Sequence, residues 1–117
     1  VKGVLDGVVE EGLRELSDED AQARLWSSSG GTEASSLTEA KSRLWDDSGL
    51  ADAMERGVGY SDSIDMQLRR LRQVLRRIDE NAPVTVLLRS EDLAEVRSLA
   101  NKILAALRDF GYGPAEN

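Results

Sequence analysis

The sequence predicts an all-α protein, a single small helical domain of five or six helices. Three observations predict it. Apolar residues recur at spacings of three and four along most of the chain, the period of a helix with one buried face. Ser or Asp opens several of these runs, and glycine or proline closes most of them, which are the ordinary start and stop signals of helices. Only one short segment, Val84–Leu88, is rich enough in β-branched residues to read as a strand.

The first helix is expected over Val4–Leu16, where Val4, Val8, Val9, Leu13 and Leu16 fall close to one stripe and Asp6, Glu10, Glu11 and Glu15 lie away from it. Gly7 and Gly12 weaken it, since glycine costs about 1 kcal/mol relative to alanine inside a helix. Two near-copies of one segment follow. Ser17–Gly30 recurs as Ser36–Gly49, with seven of fourteen positions identical, including the triplets Arg24-Leu25-Trp26 and Arg43-Leu44-Trp45. Each copy reads as one helix (about 18–27 and 37–46) with a serine cap and an acid three residues on, Asp20 or Glu39. Residues 27–36, rich in serine and glycine, read as a flexible loop between them.

A short helix is expected at Leu50–Glu55, closed by Gly57. After a turn through Tyr60, Ser61 or Asp62 caps the strongest pattern, a helix over 63–80. Its stripe is Ile64, Leu68, Leu71, Val74, Leu75 and Ile78. Pro83 ends that helix, because the residue before a proline avoids helical geometry. Val84–Leu88 is then expected as a helical turn, because a lone strand leaves backbone groups without partners. The alternative, a single short strand at 84–88, needs a pairing partner. Ser90 caps the last helix, whose apolar positions run from Leu93 to Phe110 before Gly111 and Gly113-Pro114 stop it.

A chain of 117 residues fits one domain, residues 1–117, with an aliphatic core, since only five residues are aromatic. There is no apolar run near the ~18 residues that span a membrane. Asp6, Glu10 and Glu11 break the pattern of a secretory leader, so a cytoplasmic protein is expected. The chain has no histidine and no cysteine. That removes imidazole bases, thiolate nucleophiles and the usual zinc ligands. No enzyme activity and no cofactor are expected.

Charge divides the chain. Residues 1–55 hold five Lys or Arg against thirteen Asp or Glu, a net of −8, whereas residues 56–117 carry a net of +1. Acid clusters occur at Asp18-Glu19-Asp20, at Asp46-Asp47, at Asp62 with Asp65 and at Glu91-Asp92. Most of these sit at helix starts, where the dipole favours them, and none has the alternating loop of a calcium site. No metal is expected. Asp46-Asp47 is the exception, because it falls at an expected helix C-terminus, where negative charge is unfavourable.

The Leu-Trp pairs are expected as buried anchors of two equivalent helices, against the competing reading of an exposed Trp/Arg binding patch. Arg69, Arg70, Arg72, Arg76 and Arg77 line the polar arc of the 63–80 helix and are expected to pair with the acidic N-terminal half. The function class that follows is a non-enzymatic protein-binding module, an acidic immunity- or antitoxin-like protein or a regulatory adaptor. It would bind a basic protein through Asp46, Asp47, Asp18, Glu19 and Asp20, with a homodimer compatible with the same charge pattern. The alternative is a nucleic-acid-associated regulator using the arginine-rich helix 63–80.

Overall fold

A computed structural model describes residues 4–27, 36–57 and 59–110. Among the described residues seven α-helices run in order: α1 (Asp6–Ser17), α2 (Glu19–Ser27), α3 (Leu37–Ser42), α4 (Leu50–Glu55), α5 (Asp62–Arg76), α6 (Val84–Leu88) and α7 (Glu91–Phe110). A π-helical turn, Arg43–Asp47, continues α3. There is no strand among the described residues. Most of the expected loop at 27–36, and the stop signals at 111–114, lie outside the described residues.

The helix α7 is central. Leu93, Val96, Ala100, Ile103 and Leu107 recur at three- and four-residue spacing and are all fully buried. This stripe packs against α1 on one side and α5 on the other. The three long helices α1, α5 and α7 therefore form the centre of the fold. From α5, Leu68, Leu71 and Val74 face inward, and from α1 Val9, Leu13 and Leu16 do so, each without exposed surface. Burying a leucine or valine side chain contributes about 1.5–3 kcal/mol, so these stripes set the arrangement of the three long helices.

Local signals place most of the helix ends. Ser36, Ser61 and Ser90 accept the backbone N–H of the residue three positions on, Glu39, Ile64 and Leu93. At α2 the cap is Asp18, which accepts from the Ala21 N–H at 3.1 Å; Ser17 instead donates to the Arg14 carbonyl. The shift corrects the expected serine cap by one residue. The helix α5 is shorter than the pattern implies. Arg77 and Ile78 already bond back three residues, to Val74 and Leu75, and Asp79 accepts from the Asn81 N–H in a tight turn. The chain thus leaves the α-helix before Pro83, while Ile78 stays buried. Val84–Leu88 takes the helical alternative: the N–H groups of Val86 and Leu87 both bond to the Pro83 carbonyl, so no strand pairing is required.

The two glycines of α1 differ. A Cβ at Gly7 meets nothing within 4 Å, whereas one at Gly12 comes within 2.9 Å of the Leu44 Cβ and 3.1 Å of its Cα. Gly12 lets α1 cross the π turn almost backbone to backbone. Gly12→Ala is therefore expected to destabilise. The overpacking term of about 1–3 kcal/mol exceeds the gain of about 1 kcal/mol in helix propensity. Gly7→Ala should be neutral or gain up to about 1 kcal/mol. Urea melts of the two variants check the opposite signs.

Candidate functional site

The repeated triplets converge from two sides on a single carboxylate. Glu15, on α1, is buried; it accepts the Trp26 indole N–H at 2.7 Å through Oε2 and an Arg43 guanidinium N–H at 2.7 Å through Oε1. The tryptophan comes from the first copy and the arginine from the second. The helix α2 packs on α1 and α6, while α3 and the π turn pack on α1. The copies thus share a core through α1. Beside this hub, Gln22 is fully buried and donates its amide to the Glu15 and Leu16 carbonyls at 3.0 and 2.8 Å. Its oxygen accepts from Arg97 Nε at 2.9 Å, and Arg97 also donates to the Leu88 carbonyl. One glutamine therefore satisfies the carbonyl end of α1 and ties α2 to α7 and α6.

The two tryptophans are equally buried, each 5% exposed, but not equivalently placed. The first copy is regular α-helix through Trp26, and its indole N–H has Glu15. The second widens into the π turn, and the Trp45 N–H is buried with no acceptor among the described residues. π turns inserted in helices occur often at functional sites. Here the widening falls where α1 crosses at Gly12, and its far end is held by the Ser48 hydroxyl, which donates to the Leu44 carbonyl.

A groove of about 270 Å³ between α3 and α5 is lined by Trp45 with Lys41, Asp46, Arg72, Arg76 and Glu80. The Arg72 guanidinium carbon lies 5.4 Å from the centroid of the Trp45 ring, within the range of a cation–π contact. Glu80 accepts from both Lys41 and Thr38. These two hydrogen bonds, Lys41 foremost, hold its carboxyl below the usual glutamate range. A second hollow of about 260 Å³, lined by Met54, Glu55, Arg69, Arg72, Gln73 and Arg76, adjoins the first along α5.

The arginines of α5 correct the expected pairing. Arg70 bonds Glu95 at 2.8 Å, and Arg77 reaches Asp92 at 3.5 Å, so their partners are acids of α7. Arg72 does meet the N-terminal half, through the Trp45 ring and not through an acid. Arg69, Arg72 and Arg76 make no ion pair among the described residues.

The candidate acids separate into two places. Asp46 and Asp47 are exposed, and their carboxylates have no hydrogen bond or ion pair among the described residues. They lie by the start of α1, because the Leu5 N–H bonds to the Ser48 carbonyl at 2.8 Å. Asp18, Glu19 and Asp20 follow its other end, across a helix of 12 residues, which is about 18 Å long. They are exposed, with Asp18 engaged as the cap of α2. The five acids do not form one patch. The electrostatic oddity of Asp46-Asp47 also softens, because α4 starts only three residues after Asp47 and brings a positive helix end to the same corner.

Among the described residues no three acids gather as a metal-ligating group, and no helix is long and apolar enough to cross a membrane. Set against known protein families, curated proteins and solved structures, the chain matches none. Its function must be argued from the site itself.

Proposed function

We propose that this is a non-enzymatic protein-binding module of the cytoplasm, an immunity- or adaptor-like protein that meets a basic partner at the π-turn corner through Asp46 and Asp47. The observation that carries the reading is the state of these two carboxylates. Five other acids of the N-terminal half are engaged within the molecule: Glu15 in the hub, Glu10 with Arg14, Asp52 with Arg56, Asp18 in a cap and Asp6 with the Tyr60 hydroxyl. Asp46 and Asp47 keep both charges in solvent beside a groove lined by tryptophan and arginine. Trp and Arg are the residue types that most often dominate binding energy.

Exposed acids steer a basic partner over distances up to the screening length, about 8 Å at physiological salt. Changing Asp46 and Asp47 together to Asn is expected to leave the fold intact and to slow association, with the difference shrinking as salt rises. The test is capture of partners from native cell extract with both forms of the protein, then association rates for the captured protein across a salt series. An acidic partner, or equal rates for both forms at every salt concentration, would overturn the reading.

One observation favours a second reading, a nucleic-acid-associated regulator: Arg69, Arg72 and Arg76 stand on one helix with no ion pair among the described residues. The net charge of −7 opposes it by repelling a polyanion. Gel-shift assays with mixed duplex and single-stranded DNA are expected to show only background binding. Retarded bands that weaken steeply with salt and vanish in Arg72→Gln/Arg76→Gln would reverse the ranking.

A further inference from the structure

The repeat supplies an internal comparison. Around its first tryptophan an indole N–H and a guanidinium, one from each copy, grip one carboxylate: Trp26 and Arg43 on Glu15. Around its second tryptophan the same kinds of donor gather, the arginines now from α5, with no acceptor for the indole among the described residues. The Trp45 N–H is buried with no partner among the described residues, Arg72 lies over the ring, and Arg76 lines the same groove. A buried N–H without an acceptor is costly and uncommon in folded proteins. Arg69, Arg72 and Arg76 stand three and four residues apart on one helix, a spacing at which like charges repel. Glu80, an acid near enough to relieve them, is held by Lys41 and Thr38.

We propose that the groove between α3 and α5 is a binding site for a carboxylate group, held by the Trp45 N–H and by Arg72 and Arg76. The charge of the lining favours this class over phosphate. Lys41, Arg72 and Arg76 face Asp46 and Glu80, a net of +1, which suits a singly charged group better than a doubly charged one. The two oxygens of a carboxylate also accept an indole and a guanidinium together, as Glu15 does. Because Nε1 is buried, binding requires a neighbouring side chain to move, and exposed side chains change rotamer within nanoseconds. The site goes beyond the docking role of Asp46 and Asp47. It concerns a ligand of opposite charge, and its test needs no partner protein, so either idea can fail alone.

The test is a titration of the ¹⁵N-labelled chain followed through its two indole N–H resonances, assigned with Trp45→Phe. The probes are sodium butyrate, the peptide acetyl-Lys-Glu-Lys-amide and sodium phosphate, each at constant ionic strength set with sodium chloride. The expected result is a saturable shift of the Trp45 resonance with Trp26 stationary, and its loss in Arg72→Gln/Arg76→Gln. Arg76→Gln alone, an exposed change, should weaken the response if the double variant folds poorly. A tighter response to the peptide assigns the carboxylate to a protein side chain, and a tighter response to butyrate assigns it to a small molecule. The proposal is overturned if neither resonance responds, if both move together, or if only phosphate moves Trp45.

Discussion

Replacing Glu15 with Ala is expected to cost about 3–4 kcal/mol, a large part of the stability of a domain that has roughly 5–15 in all. The change strands two donors. The buried Trp26 N–H would lose its acceptor, a penalty of about 1–3 kcal/mol. Arg43 would lose a charge-assisted bond, but with 32% of its side chain exposed it can recover water. That keeps the total near the lower end of the 3–5 kcal/mol expected when one partner of a buried pair is removed. Glu15→Gln keeps an acceptor for the indole and should cost about half as much, because only the charge toward Arg43 is lost. Urea denaturation of the three proteins gives these differences directly. A double change, Glu15→Ala with Trp26→Phe, should cost clearly less than the two single changes together, since both delete the same bond. Full additivity, or an alanine variant within about 0.5 kcal/mol of the parent, would show that the hub does not hold the copies together.

The sequence carries the helices of this fold plainly and its hub poorly. Periodicity located α5 and α7, because their apolar residues make continuous stripes, and serine caps fixed three of the helix starts. The role of α1 as a third central helix was obscured by Gly7 and Gly12. By propensity alone the two glycines look alike, and only the crossing at Leu44 separates them. Glu15 and Gln22 gave no signal. On a helix map Glu15 belongs to the polar face, and its burial arises because residues 28 positions away in sequence fold over it. A glutamine inside a segment of polar composition carries no mark of being a clasp for three helices. The identity of Arg-Leu-Trp in both copies pointed to equivalent roles, yet hydrogen-bond partners come from tertiary neighbours that the repeat does not encode. The acid pair at 46–47 was legible as an anomaly. Its distance from Asp18–Asp20 was not, because that depends on α1 lying between them.

The two tryptophans offer the second large effect. Trp26→Ala and Trp45→Ala should each destabilise by about 3–5 kcal/mol, the usual cost of emptying an aromatic site in a core. Both indoles should also emit at the short wavelengths of buried rings. Phenylalanine replacements separate the two sites. Trp26→Phe keeps most of the packing but deprives Glu15 of the indole donor, leaving a buried carboxylate held by Arg43 alone. Trp45→Phe removes an N–H that has no acceptor among the described residues, which relieves a penalty in place of creating one. Against that, the phenylalanine ring holds the Arg72 guanidinium less well, a loss of about 0.5–1 kcal/mol. The hydrogen-bond term is the larger, at about 1.5–3 kcal/mol for a bond to a charged group. Trp26→Phe should therefore be the more destabilising of the pair by at least about 1 kcal/mol. Equal costs in urea melts would mean that the Trp45 N–H is satisfied within the folded chain, and the distinction between the copies would fall with it. A larger cost at Trp45 would make its contact with Arg72 a main structural tie between the N-terminal half and α5, in place of a contact open to exchange.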